Sequence, residues 1–154
     1  MTTKQTNRRA LLTGAALAAT AASVASNISK AADAPPQKKV YRTGPKPATP
    51  PAYSTGISFG NLLFLSGVIC RTPGDVKAHT EFALGEIKKQ LEAAGSSMEK
   101  VLRCTVFLAD IKDLAAFNEV YARYFPVDAP ARIFLHVPSW PGPFDIEVDC
   151  IAVI

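Results

Sequence analysis

The C-terminal segment DIEVDCIAV alternates between acidic and apolar side chains over most of residues 145–153. A repeat of two residues is that of a β-strand, whose successive side chains point to opposite faces of a sheet. The acidic face would hold Asp145, Glu147 and Asp149, and the apolar face Ile146, Val148, Cys150 and Ala152. A strand with one such apolar face needs a second layer packed on it, so this segment predicts a layered fold built on a sheet.

Two segments upstream have the three- and four-residue apolar spacing of amphipathic helices. The first covers residues 75–95 and ends at Gly95, with an inner face formed by Val76, Ala83, Ile87, Leu91 and Ala94. The second covers residues 114–125 and stops before Pro126, with an inner face formed by Leu114, Phe117, Tyr121 and Tyr124 or Phe125. Asp110 and Asp113 are placed to cap this second helix.

The remaining segments are typical of strands and turns. Predicted strands cover residues 53–58, 62–65, 101–109, 132–137 and 145–153, with a hairpin turn at 59–61 and a short edge strand in KKVYR from about residue 38. We therefore expect an α+β fold, a mixed sheet of five or six strands with two helices on one face. The other face would be apolar and uncovered, so we expect oligomerisation to bury it and to place any pocket at a subunit boundary.

The N-terminal residues differ in composition from the rest of the chain. Arg8 and Arg9 precede an Ala-rich apolar run, and small residues follow it, as in an export signal. The run is short for a membrane span, although an uncleaved amphipathic tail is an alternative. The arginine pair resembles a twin-arginine signal, but its flanking residues leave the general secretory route open. We expect residues 1–34 to be a cleaved export signal, a periplasmic or secreted location, and no stable membrane association after processing.

The excess of basic residues lies outside the predicted domain. Residues 35–52 form a Pro-rich arm with four basic side chains, whereas residues 47–154 hold 9 basic and 12 acidic groups. A basic surface for nucleic acid is therefore not expected. The domain itself is predicted over residues 53–154.

Arg132 and Glu147 are the first candidates for chemistry. Arg132 opens an otherwise apolar strand, and Glu147 lies deepest in the last one. If the connecting loop returned the two strands to adjacency, the side chains would form either a structural ion pair or a site. In a site, the guanidinium would bind an anionic substrate and the carboxylate would handle protons and water.

Five stretches of the chain resemble, in order and spacing, the RidA/YjgF family of reactive enamine and imine deaminases, also labelled endoribonuclease L-PSP. They are YSTGISFGNLLFLSGVI, LEAAGSS, VLRCTVFLADIKDLAAFNEVYARYF, PAR and IEVDCIAV, and the resemblance covers about residues 38–153. It implies a chorismate-mutase-like fold, a homotrimer and three clefts between subunits. It also implies hydrolytic deamination of small 2-imino or 2-enamino acids to 2-oxo acids and ammonia, without metal or cofactor.

The resemblance also implies roles for individual residues. Arg132 would hold the substrate carboxylate and Glu147 would orient the attacking water. Substrate would further be bound by Tyr53 from across the interface, by the backbone of Phe134 and by the wall at Ser66 and Gly67. Val68, Ile133 and Phe134 depart from residues common in the family and make the pocket more apolar.

Two other functions stay open, namely a non-catalytic binding protein for carboxylated metabolites and a ribonuclease. The slightly acidic domain argues against the ribonuclease. Cys70, Cys104 and Cys150 lack metal-ligand spacing, and we expect buried free thiols, with one disulfide as the alternative. Packing or surface roles are expected for His79 and His136. Trp140 is expected to anchor its loop, with a place at the rim of the cleft as the alternative, and Asn118 to bond within its helix environment.

Overall fold

Six strands form one mixed sheet in the computed structural model, which describes residues 35–154. They are β1 (Lys38–Tyr41), β2 (Gly56–Phe59), β3 (Leu62–Ile69), β4 (Val101–Leu108), β5 (Ala131–His136) and β6 (Ile146–Val153). Their order across the sheet is β1-β2-β3-β6-β4-β5, and only β4 and β5 are parallel. The predicted mixed sheet, its hairpin and its short first strand are confirmed.

Both predicted helices are present, as α1 (Val76–Ala93) and α2 (Leu114–Tyr124). The Asp75 carboxylate accepts a hydrogen bond from the Ala78 amide at 2.8 Å and so caps the start of α1. After the helix, Gly95 has a φ of +82°, a conformation that glycine adopts without steric cost. Every apolar residue predicted for the inner face of α1 is buried.

The predicted caps of α2 are only partly correct. Asp110 accepts a hydrogen bond from the Lys112 amide at 2.9 Å, but it caps a separate 3-10 turn (Ile111–Asp113) before the helix. Asp113 precedes Leu114 in a helical conformation, and its side chain makes no capping bond. The backbone of Asp113 is already helical and continues the 3-10 turn into the helix. The backbone amides without a helical partner, which a cap would bind, are therefore those at the start of the turn and not those at the start of α2.

The helices cover one face of the sheet and leave the other open. α1 packs on β3 and β6, and α2 packs on α1. The covered face is the core, where alternate residues of β3, β4 and β6 are almost fully buried. On the open face the large side chains of Phe64, Ile133 and Leu135 are each more than 40% exposed. The expectation of an uncovered apolar face is therefore correct for the described chain.

The expected adjacency of the last two strands is wrong. β4 lies between β5 and β6, pairing with β5 in parallel and with β6 antiparallel. The loop after β5 therefore carries the chain across β4 before β6 begins. Arg132 and Glu147 cannot form the ion pair that adjacency would have allowed.

The ends of the strands also differ from the prediction. β2 begins at Gly56 rather than at residue 53, and β3 continues past Leu65 to Ile69. Asp145 precedes β6 and does not share the face of Glu147, because its carboxylate bonds the ring of buried His79 at 2.7 Å.

The predicted export signal, residues 1–34, lies outside the described residues and stays a prediction. Within residues 35–154, neither helix is both long and apolar enough to cross a membrane.

Candidate functional site

A β-bulge interrupts the pairing of β3 with β6. The register shifts between Leu65 and Val68, so Ser66 and Gly67 together stand opposite the single residue Asp149. Bulges of this kind redirect the backbone and are common beside functional sites. Here the bulge brings the backbone of Gly67 toward the next side chain on the open face of β6.

That side chain is Glu147, which packs directly against Gly67. A Cβ atom built on Gly67 would lie 1.8 Å from Oε1 of Glu147, so a larger residue there would force the Glu147 side chain to move. Burial raises the pKa of the Glu147 carboxyl, and the neighbouring negative charge of Asp149 raises it further. The result is a half-buried carboxyl group with increased affinity for a proton.

The bulge also forms one wall of a cavity of about 250 Å³ that is open to solvent. Tyr53, Ser66 and Gly67 are among its lining residues. The Ser66 amide and hydroxyl donate to the carbonyls of Thr55 at 3.0 Å and Ser54 at 2.7 Å, and so fix the chain after Tyr53 beside the bulge. Ser66 and Gly67 form the bulge, Tyr53 lines the cavity beside it, and Glu147 packs against Gly67 without being among the residues that line the cavity. We call these four residues the glutamate cluster.

Within one chain, Tyr53 lies beside the bulge and lines this cavity. The two hydrogen bonds of Ser66 hold it there, because they tie the preceding loop to β3. The expectation that Tyr53 reaches the pocket across a subunit interface stays a prediction. The Tyr53 side chain is 72% exposed and does not fill the cavity.

Arg132 lies in a different environment, against helix α2. Its Nη1 donates a 2.8 Å hydrogen bond to Oδ1 of Asn118. Its guanidinium also lies 4.8 Å from the ring centre of Tyr121 and 5.5 Å from that of Phe117, within cation–π range. The amide and the two rings hold the guanidinium in one orientation without neutralising its charge. We call Arg132, Asn118, Phe117 and Tyr121 the arginine cluster.

Asn118 was expected to bond within its helix environment, and its side chain accepts the bond from Arg132 of β5. Asn118 follows Phe117, so the same turn of α2 that provides an aromatic contact also provides the amide. The helical spacing of Phe117 and Tyr121 was visible in the sequence, but it indicated only a buried face. The spacing did not show that β5 brings Arg132 against this turn of α2.

Among residues 35–154, no strand pairs with the outer side of β5, because β5 is the last strand of the sheet. The Val137 amide donates to the Leu108 carbonyl on β4 at 2.8 Å. In a parallel strand, successive residues direct their backbone groups to opposite sides. The amide and carbonyl of Arg132 and of Phe134 therefore point away from the sheet, while the Phe134 side chain packs partly buried against the core.

The two clusters lie on opposite faces of the sheet. Arg132 pairs with Cys104, which is buried under the helices, whereas Glu147 pairs with Phe107 on the open face. Their strands are also separated by β4, which places the backbones roughly 10 Å apart across the sheet. One chain thus places Ser66 and Gly67 between Tyr53 on the cavity side and Glu147, and leaves Arg132 and Phe134 elsewhere.

The other candidates have structural roles. The ring of His79 bonds Asp145 and, at 2.9 Å, the Thr72 carbonyl, and His136 lies 3.1 Å from the Ala109 carbonyl. Trp140 packs edge-on against Phe107 and Phe144. All three cysteines are buried and free, as expected. In the part of the chain that the structure describes, no three His, Cys, Asp or Glu side chains converge as metal ligands.

Comparison with known proteins gives consistent relatives. Residues 43–154 match the family model described as Endoribonuclease L-PSP. A RutC family protein of Pyrococcus horikoshii is 44% identical over 115 residues, covering 70% of this chain and 90% of that protein. The chloroplastic Reactive Intermediate Deaminase A of Arabidopsis thaliana is 37% identical over 125 residues, covering 77% and 67%.

A solved structure shows the same fold. The YjgF gene product of E. coli superimposes with a TM-score of 0.67 at 32% identity, covering 75% of this chain and 98% of that one. The α+β architecture with a chorismate-mutase-like sheet is confirmed.

Proposed function

The chain belongs to the endoribonuclease L-PSP family, also called RidA/YjgF, and from this premise we propose that it hydrolyses small 2-imino or 2-enamino acids to 2-oxo acids and ammonia. The relative named Reactive Intermediate Deaminase A supports a deaminase function at the level of the family. The observation that carries the proposal for this chain is Glu147, a half-buried carboxyl group packed on the backbone of Gly67, whose raised pKa suits proton transfer.

Arg132 binds the substrate carboxylate in this proposal. A guanidinium can hold both carboxylate oxygens through two parallel hydrogen bonds, and it keeps its charge at any working pH. Asn118 and the two rings of the arginine cluster orient the fork. The outward backbone groups of Phe134 add hydrogen-bonding positions beside it.

Glu147 handles water and protons at the imine carbon. Water adds to the carbon of the protonated imine, and Glu147 accepts the proton that the water loses. Glu147 returns this proton to the nitrogen of the tetrahedral adduct. As the C–N bond breaks, Glu147 accepts the proton of the adduct's hydroxyl group, which leaves the 2-oxo acid and ammonia, and the ammonia takes up that proton to form ammonium. The imine carbon is already electrophilic, so positioning of water and substrate supplies most of what the reaction needs.

A complete site requires a second copy of the chain in this proposal. A small 2-imino acid cannot contact Arg132 and Glu147 of one chain, because the sheet lies between them. We propose a homotrimer in which the open apolar faces are buried and the free edge of β5 from one copy lies beside the glutamate cluster of the next. Each of three clefts then holds one arginine cluster and one glutamate cluster.

The direct test is turnover of a generated imine. We expect purified protein to accelerate the decay of 2-iminopropionate, formed in place by an amino-acid oxidase, with pyruvate and ammonium appearing together. If the protein binds the substrate carboxylate but does not accelerate decay of the imine, the alternative function, a non-catalytic binding protein, is favoured. The apolar residues Val68 and Ile133, which depart from residues common in the family, favour the same alternative. Cleavage of RNA with no effect on the imine would favour the ribonuclease.

The shared cleft predicts complementation between inactive variants. Arg132→Ala chains lack the guanidinium and Glu147→Gln chains lack the carboxylate, so each alone should have at most about one hundredth of wild-type turnover. Co-refolding them in equal amounts should restore a measurable part of wild-type turnover, because some clefts receive both intact clusters. Sedimentation should give about three times the chain mass for wild type and both variants. A monomer, or a mixture as inactive as its components, contradicts the shared cleft.

We also propose that the protein is exported, on the basis of residues 1–34. An exported deaminase needs imines that are made in its own compartment. Amino-acid oxidases or dehydrogenases in that compartment would produce such imines.

A further inference from the structure

Two buried cysteines that the proposed reaction does not use face each other in the sheet. Cys104 on β4 is the direct register partner of Cys150 on β6. The two side chains are 0% and 1% exposed and both lie on the face covered by the helices. The question is whether their backbone geometry allows a bond between them.

Antiparallel neighbours alternate between hydrogen-bonded and non-hydrogen-bonded pairs, and the two classes differ in spacing. The Ala109 amide donates to the Asp145 carbonyl at 2.8 Å, which fixes Ala109 and Asp145 as a hydrogen-bonded pair. The register then runs without a shift to Cys104 and Cys150, five pairs along the ladder. An odd number of steps places the two cysteines in a non-hydrogen-bonded pair.

Residues in such pairs have Cα atoms about 4.5 Å apart, the closer of the two spacings, and their side chains approach each other. Disulfides occur at Cα separations of about 4.4–6.8 Å. The pair therefore lies at the short end of the permitted range. We propose that Cys104 and Cys150 are an oxidation site that closes to a cross-strand disulfide when the chain folds in the presence of a low-molecular-weight disulfide.

The chemistry proceeds by two exchange steps. The thiolate of one cysteine attacks the disulfide reagent, which forms a mixed disulfide and releases one reagent thiol. The second cysteine, as thiolate, attacks the protein sulfur of the mixed disulfide and releases the second reagent thiol. The protein loses two protons and two electrons, and the reagent gains them as it becomes two thiols.

Folding is the period in which this exchange is possible. In the folded chain, burial raises the pKa of the Cys104 thiol to about 11 and raises that of Cys150 further. Little thiolate then exists, and no reagent reaches it, because thiolate fraction and access control the exchange. Before β4 and β6 are covered by α1 and α2, neither restriction applies.

Cys70 is the matched internal control. It is also buried, at 1% exposure, but it lies beyond the end of β3 and its Sγ is 3.1 Å from the Thr72 hydroxyl. Simple thiol reactivity would not distinguish it from the other two cysteines. The register distinguishes it, because Cys70 has no cysteine opposite to it in the sheet.

The experiment refolds the full chain under two redox conditions. Reduced protein is unfolded in guanidinium and diluted into buffer containing either reduced glutathione alone or a mixture with glutathione disulfide. Free thiols are then alkylated, and the crosslinked peptides are mapped by mass spectrometry. We expect the oxidised sample to hold a Cys104–Cys150 disulfide with Cys70 alkylated, and the reduced sample to hold three alkylated thiols.

Two further arms make the result decisive. Cys70→Ser should keep the crosslink, and Cys150→Ser should lose it; if the second variant fails to fold, the peptide map of wild type decides alone. Folded wild-type protein incubated with glutathione disulfide should stay reduced far longer than the refolding chain. Three free thiols after oxidative refolding, or a disulfide that includes Cys70 as the main product, would overturn the proposal.

Discussion

Replacing Arg132 by alanine should abolish imine hydrolysis while the protein remains folded and assembled. The guanidinium makes one hydrogen bond and two cation–π contacts in an exposed position, and it has no carboxylate partner within the described residues. Contacts of this kind stabilise an exposed site by about 0.5–1 kcal/mol, so the melting temperature should fall only slightly. Loss of substrate carboxylate binding, in contrast, should leave no detectable turnover of 2-iminopropionate.

The conservative replacement and a matched control sharpen this test. Arg132→Lys should recover only part of the activity, because an ammonium cannot form two parallel bonds to one carboxylate. Arg123→Ala removes an exposed arginine of the same helix region, paired with Glu81, and should leave turnover unchanged. If Arg132 served only packing against α2, its alanine variant would melt earlier and still hydrolyse the imine. Unchanged turnover would remove Arg132 from the site.

Replacing Glu147 by glutamine should reduce turnover by about 10²-fold or more, the usual contribution of a positioned proton-transfer group. Glutamine keeps the size of the side chain over Gly67 but cannot accept the proton of the attacking water. Substrate should therefore still bind, which inhibition or direct titration with a 2-oxo acid would show. Glu86→Gln, which removes a carboxylate paired with Lys89 on α1, is the matched control and should retain full activity.

The pH dependence provides a second measurement on the same carboxyl group. Because its folded-state pKa is raised above the ordinary 4.5, activity should fall with decreasing pH at a higher value than an unperturbed glutamate would give. Asp149→Asn should move this acidic limb to lower pH, because the charge of Asp149 contributes to the shift. An acidic limb that Asp149→Asn leaves in place would exclude Glu147 as the titrating group.

The Glu147 carboxyl changes the stability of the fold with pH in the direction opposite to that of a salt-bridged carboxylate. The folded chain binds the Glu147 proton more tightly than the unfolded chain, so this group lowers stability as pH rises through its folded pKa. At neutral pH, Glu147→Gln should be at least as stable as wild type. The difference should vanish in acid, below the ordinary glutamate pKa of 4.5, where the carboxyl is protonated in both the folded and the unfolded chain. A clear loss of stability at neutral pH would indicate that Glu147 has a structural role.

The sequence predicted the bounds of helices and strands better than the contacts between residues far apart in the chain. The bounds of α1 and α2 agree with the sequence to within two residues at each end, and every strand was anticipated. The glutamate cluster contains four predicted residues: Glu147 was singled out by its place in the last strand, and the other three were named through resemblance. The bond of Asn118 to Arg132 was not predicted, and Arg132 and Glu147 were expected to meet within one chain.

The period of each segment was sufficient to predict which segments form helices and strands and which side chains of a segment share one face. The tertiary structure alone decided that β4 lies between β5 and β6, that a bulge brings Gly67 under Glu147, and that Cys104 faces Cys150. Strand order and register depend on pairing between segments far apart in the chain, and a local repeat carries no information about its partner. The same repeat fixes the face of each side chain only after the partner is known, which is why Arg132 and Glu147 were placed together when the sheet separates them.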